Sequence, residues 1–287
     1  MMPGVMTPGV MTRRASQRGF ALLIVLWSLA LVALIGTQVT SAGRTEARIA
    51  GNLRAEAVAE AAADAAVQVA ALHLLDASAA RWQAGGTIHV VKLPQASARV
   101  VIEAEGRKLP LNTAPTLVLA ALARAVGAAQ PVAARIADEI GDWRGPADFP
   151  LRFGAKAPQY RAAGRLYGPP DRPFRTVSEL RLLLAMTPEL YERLAPHLST
   201  YTESTPDLKT ADPQVRAVLQ SLRAEGVQPL AFDEPGVFRV TAVATGRDGG
   251  RFTRVAVIRL AAQGANAPPT RPFDVLEWSD GSGADEP

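Results

Sequence analysis

Between Gly19 and Gly43 the chain carries no charged residue, and from Phe20 to Val39 it is almost wholly apolar. A helix needs roughly 20 such residues to cross the hydrocarbon core of a bilayer. The core helix of a soluble protein seldom runs that far without a charge. Arg13, Arg14 and Arg18 precede the run, and Arg44 and Arg48 follow it with Glu46 between them. This modest bias predicts an N-terminus in the cytoplasm and a body on the far side of the membrane. Taken alone, the span fits three readings. It is a secretory signal peptide with a cleavage site at residues 39–42, a plain signal anchor, or a segment kept on the mature protein after a leader ahead of it is removed.

No turn follows the span. Residues 44–68 continue as a helix, with Ile49, Leu53, Ala57, Ala61, Ala65 and Val69 recurring every four residues. Glu56, Glu60, Asp64 and Gln68 form a polar row beside them. The pattern predicts one amphipathic helix continuing out of the membrane, its four-spaced apolar row turned to the body. Gly43 and Gly51 weaken it without ending it.

Downstream the period changes. Residues 87–93 and 98–104 read as two strands joined through Pro94, and 236–245 and 251–260 as a hairpin turning at Asp248-Gly249. In the second hairpin strand, Arg254, Ala256 and Ile258 make one face, and Val255 and Val257 the other. The two strand pairs can share one antiparallel sheet. Between them, residues 109–205 read as helical, with helices at 115–126, 131–143, 180–185 and from Pro188 to near His197. Thr176 and Glu179 form a capping box, and Thr187-Pro188 an N-cap with proline at the first helical position. An internal echo pairs Leu111-Asn-Thr-Ala114, then Val118 and Leu122, with Leu208-Lys-Thr-Ala211, then Val215 and Leu219. In both, the polar residue is expected to cap and the apolar pair to pack. The fold class is therefore α+β: a long N-terminal transmembrane and amphipathic helix on a small antiparallel sheet, with an inserted all-α domain. The expected divisions are 1–19, 20–43, 44–108, 109–205, 206–263 and a flexible 264–287.

Chemistry is sparse. With no cysteine there are no disulfides, thiolate metal sites or cysteine nucleophiles. His73, His89 and His197 do not cluster in sequence. No catalytic or phosphate-binding motif occurs, so no enzyme is expected. The net charge of +4 demands no nucleic-acid partner. Asp138 and Asp142 lie four apart on a helix, and Asp148 follows in a loop. Such hard oxygen ligands suit calcium, and the competing reading is a solvated acidic face. Trp143 reads as a core anchor, and Trp278 as docked on the head or on a partner.

Gln17-Arg18-Gly19-Phe20 resembles a prepilin peptidase site: a basic leader, a glycine, then phenylalanine opening an apolar helix. The resemblance implies cleavage between Gly19 and Phe20 and N-methylation of Phe20. Pilins generally carry glutamate at the fifth mature position, where this chain has Ile24. A carboxylate in a bilayer persists only where it has a partner, and its absence resembles the K-type subunit at a filament tip. Four further segments, 111–114, 136–144, 173–180 and 272–278, occur in the order found in the K-type minor pseudopilins of type II secretion (general secretion pathway protein K). With the Gly19–Phe20 site, the resemblance spans nearly the whole chain. It implies a pseudopilin fold with an inserted α-domain, an inner-membrane anchor and a periplasmic head. The implied partners are the I-type and J-type minor pseudopilins, the major pseudopilin and prepilin peptidase. Calcium is the cofactor it implies. The family's cysteine pair is missing, and Lys209 stands where asparagine is common. Two alternatives remain open: a membrane-tethered helix-hairpin-helix DNA receptor and a type IV minor pilin. Against the DNA receptor, residues 109–200 carry 11 basic and 8 acidic residues, a net of only +3.

Overall fold

The computed structural model describes residues 17–146, 148–227, 236–261 and 272–281. Residues 1–16, in the expected leader, and the proline-rich stretch 262–271 lie outside the described residues, as do 228–235 and 282–287. The chain divides into two compact units, Met1–Ala57 and Val58–Pro287. One continuous helix, α1 (Gln17–Leu75), supplies the described part of the first unit and opens the second. Gly43 and Gly51 do not interrupt it.

In the second unit α1 lies on a five-stranded antiparallel sheet. The strands are β1 (Ile88–Lys92) and β2 (Ala96–Ala104), then later in the chain β5 (Val237–Gly246), β6 (Arg251–Leu260) and β7 (Phe273–Asp280). They stand side by side in the order β1-β2-β5-β6-β7. The predicted shared sheet is thus present. Ala98 pairs with Ala244, Val100 with Ala242 and Ile102 with Val240, and Val240 in turn pairs with Ala256. These even-numbered residues form the layer that packs against α1. The β5–β6 hairpin turns at the predicted Asp248-Gly249, with Gly249 at φ +84°, a conformation that suits glycine.

Two expectations fail here. The helix face on the sheet is Ala59, Ala62, Ala63, Ala66, Val67, Ala70, Ala71 and Leu74, all buried, whereas Ile49, Leu53 and Ala61 are exposed. A strict four-residue repeat advances about 40° per step on a helix of 3.6 residues per turn. Over the five steps from Ile49 to Val69 it winds round to the opposite side. Spacings of three and four keep to one face. The second failure is the tail. Residues 273–280 form β7, paired antiparallel to β6 with a register shift between Val257 and Ile258. The flanking prolines and acidic residues masked a stretch whose β-ladder closes the sheet.

Between β2 and β5 the chain builds a separate core. Its elements are β3 (Leu109–Pro110), α2 (Thr116–Ala125), α3 (Gln130–Arg144), α4 (Ala157–Ala162), α5 (Pro188–Leu194), β4 (Leu198–Ser199) and α6 (Pro213–Ala224). β3 and β4 make a short parallel pair that joins the start of the helical excursion to the segment just after α5. The capping-box segment Val177–Leu182 is a 3-10 helix, not the expected α-helix over 180–185. Glu179 Oε1 still accepts from the Thr176 amide at 3.2 Å, as the box requires. α6 buries Val215, Val218, Leu219 and Leu222 in the helical core, so this core extends past residue 205 into the expected strand region.

The internal echo is structural. Ala114 N–H donates to Pro110 C=O at 2.9 Å, and Ala211 N–H to Asp207 C=O at 2.8 Å. Ala114 and Ala211, Val118 and Val215, and Leu122 and Leu219 are buried at matching places. The caps differ from expectation. Asp212, not Thr210, caps α6 through the amides of Gln214 and Val215. Asn112 caps nothing and is used elsewhere.

Candidate functional site

In the first unit the informative feature is the surface of α1. Phe20–Gln38 is 19 residues long and wholly unburied, long and apolar enough to cross a membrane. At 1.5 Å per residue it covers about 28 Å, close to the hydrocarbon thickness. Phe20 and Trp27 are 68% and 70% exposed. The hydroxyl of Ser28 donates to Ile24 C=O at 2.8 Å, and that of Thr37 to Leu34 C=O at 2.7 Å. These polar side chains are therefore satisfied within the helix, as a lipid environment demands. Gly19 and Phe20 lie in helical backbone, and Ile24 presents an aliphatic side chain, 51% exposed, where a pilin glutamate is expected.

In the second unit, three of the four segments that carried the family resemblance converge. The side chain of Asn112 pairs with the backbone of Phe174 in both directions, accepting from its N–H at 2.8 Å and donating to its C=O at 3.0 Å. Arg144 reaches back from the end of α3, donating to Leu111 C=O at 2.5 Å and Ala114 C=O at 2.6 Å. Burial lowers the Arg144 pKa. Trp143 stacks on Phe174 with centroids 5.7 Å apart and tilts against Tyr160 at 6.2 Å. Trp143 is a core anchor, as expected. Glu139, fully buried on the same helix, accepts from Arg135 Nε and from the Ala185 amide. Burial raises its pKa above the ordinary value, against those two bonds.

The fourth segment belongs to a polar joint between the helical core and the sheet. Buried Glu105, just after β2, meets Lys108 Nζ and Arg239 Nε, each at 2.9 Å. Burial pushes its pKa up, but the two cations outweigh burial and hold the carboxyl below its usual value. Arg239 also lies 3.7 Å from Glu277 in β7, which accepts from the Tyr201 hydroxyl.

Nearby, Arg254 on β6 is 5% exposed and faces α1. It pairs with Glu60 and Asp64 on that helix and with Asp280 on β7, and its guanidinium lies over the rings of Phe252 and Trp278. Trp278 thus docks on the head. The sequence reading missed Arg254 as a hub. The signal was an arginine among Ala256 and Ile258 on the helix-facing side, opposite a helix with a four-spaced acidic row.

Of the three predicted acidic ligands, two stay side by side and the third does not join them. Asp138 and Asp142 turn to the loop after α3: Asp138 accepts from the Phe153 amide at 3.0 Å, and Asp142 from the Leu151 amide through both oxygens. Asp148 is exposed. Among the described residues no group of three histidine, cysteine or carboxylate side chains is placed to hold a metal. Two histidines do come together: His73 and His89 stack on opposite faces of Trp82 at 4.3 and 4.1 Å. At the α2–α3 turn the amides of Gly127 and Ala128 bond back to Arg124 and Ala123, closing a Schellman cap.

Residues 94–203 match the family model for type II secretion system protein K. Over that stretch the chain is similar to the K-type pseudopilins. The match takes in the segments from Asn112 to Phe174 whose side chains interlock. The chain is 27% identical over 228 residues to the type II secretion system protein K of Klebsiella pneumoniae, covering 72% of this chain and 70% of that protein. Its fold is similar to a chain in the crystal structure of the GspK-GspI-GspJ complex of the type 2 secretion system from enterotoxigenic Escherichia coli. The TM-score is 0.56 at 18% identity, covering 84% of this chain and 99% of that one. In this chain the described polar groups of the second unit tie loops, helices and strands to one another.

Proposed function

We propose that this chain is a K-type minor pseudopilin that occupies the tip of the type II secretion pseudopilus, where it initiates filament assembly and supports export across the outer membrane. Phe20–Gln38 anchors it in the inner membrane as a single pass, with the head in the periplasm. Prepilin peptidase cuts between Gly19 and Phe20, and the new amine of Phe20 is methylated. The head joins the I-type and J-type minor pseudopilins, the partners named for the similar Escherichia coli chain, and through them the major pseudopilin.

The observation that carries the tip assignment is Ile24, an aliphatic side chain at the place where a filament subunit presents a carboxylate to a neighbouring N-terminal amine. A subunit with no neighbour ahead of it gains nothing from that carboxylate, which is costly in lipid. The helical core supports the reading, since it adds to the pseudopilin sheet a second body at the head.

Mass spectrometry of the N-terminus, from membranes of cells with and without prepilin peptidase, tests the reading. The expected result is a methylated Phe20 terminus that depends on the peptidase. An intact N-terminus, or one created near Ala42, would refute the pilin pathway. Ile24→Glu is expected to disturb tip placement and lower secretion. Normal assembly and secretion by that variant would remove the tip argument.

A further inference from the structure

The resemblance implies calcium on the acidic residues of α3, and the side chains there do not fit it. The carboxylates of Asp138 and Asp142 are engaged by amides of the 151–153 turn, and Asp148 stands apart in solvent. A different oxygen cage exists beside them. The carbonyls of Asp142 and Gly145 and the carboxylate of Asp171 converge at 2.7, 2.7 and 2.5 Å. Their common target is the Nζ of Lys156, a residue 6% exposed. Two main-chain carbonyls and a carboxylate are the ligand types a calcium ion takes. A lysine ammonium has three N–H donors, and here each has one acceptor. Asp171 holds its place at φ +53°, in the left-handed region that costs a non-glycine residue energy.

We propose that Lys156 is a resident cation of the helical core, filling with its own ammonium an oxygen cage of the kind a divalent ion fills. The chain from α3 to Asp171 is then fastened without calcium, and the stability of the head is independent of that ion. The inference stands apart from the tip assignment, since it concerns how the head is held together wherever the subunit sits.

The test is thermal unfolding of the full chain in detergent micelles, followed by circular dichroism in excess EDTA and in excess calcium chloride. The wild-type midpoint is expected to be the same in both. Lys156→Ala is expected to lower it by about 5–10 °C, because buried carbonyls lose their donor. Calcium should then raise the variant's midpoint but not that of the wild type. If Lys156→Ala does not fold, Asp171→Asn serves. It keeps an acceptor oxygen but loses the charge, and should show a smaller drop. A wild-type midpoint that rises with calcium or falls in EDTA overturns the proposal. So does a Lys156→Ala protein that keeps the wild-type midpoint, or one whose lowered midpoint calcium leaves unchanged.

Discussion

The two cores of the head are built from different side chains. Where α1 meets the sheet, the contact is mostly alanine: Ala62, Ala63, Ala66, Ala70 and Ala71 on the helix, and Ala98, Ala242, Ala244 and Ala256 on the strands. The helical core is leucine and aromatic, with Leu109, Leu111, Leu122, Trp143, Tyr160, Phe174 and Leu180 fully or nearly buried. The reason lies in the elements. The part of α1 in the second unit and the five strands beneath it are already regular, and alanines on both surfaces let the backbones approach closely. The helices of the other core run only 6 to 15 residues, too short to persist alone. They need large side chains that bury more apolar area per residue. One core is fixed by close fit and the other by bulk.

The contrast predicts opposite sensitivities. Removing bulk should hurt the helical core most. Trp143→Ala deletes a ring packed on Phe174 and Tyr160 and is expected to cost about 3–5 kcal/mol in denaturant unfolding. A cost under about 1 kcal/mol would mean that this core does not depend on bulk. Adding bulk should hurt the sheet contact. Ala66 is completely buried between helix and strands, so Ala66→Leu is expected to cost about 1–3 kcal/mol by forcing α1 off the sheet. The measurement is again denaturant unfolding, with hydrogen exchange of the β2 and β5 amides to show where the loosening falls. A neutral Ala66→Leu would break the comparison.

Much of this was legible in the residues. The helices at Thr116, Gln130 and Pro188 were signalled by proline punctuation and apolar spacing, and the β5–β6 hairpin by Asp248-Gly249. These are local signals, and local chemistry decided them. The sheet-facing side of α1 was not legible, because alanine weighs little in any apolar count while Ile49 and Leu53 weigh much. Yet the alanines pack and the larger residues stay exposed. β7 exists only through its pairing with β6, a long-range contact with no local signature. The interlock of Asn112, Arg144 and Phe174 was half visible. The segments were recognised together, but Asn112 was read as a helix cap, since cap and long-range bridge draw on the same side chain. The carboxylates of α3 were read as calcium ligands or as a solvated acidic face, because spacing reveals the oxygens and hides the amides that occupy them.

The smallest expected effect concerns two buried glutamates, one for each style of construction. Glu105 sits between Lys108 and Arg239, and its pKa is lowered below the ordinary 4.5 because the cations overcome burial. Its contribution to stability is present above pH 4.5 and is lost as pH falls through its depressed folded value. Glu139 lies among the leucines and rings, and burial raises its pKa above 4.5 despite Arg135 and the Ala185 amide. Here the folded state binds the proton more tightly than the unfolded one. Stability therefore rises as pH falls from neutral toward 4.5, and the cost of the buried charge is fully present above the raised folded value. Glu139→Gln cannot titrate and should lose that rise while Glu105 keeps its own slope at lower pH. Urea unfolding of both proteins, at neutral pH and just above 4.5, separates the two. A wild type that gains nothing on acidification, or a variant that gains as much as the wild type, would show that Glu139 is not the group responsible.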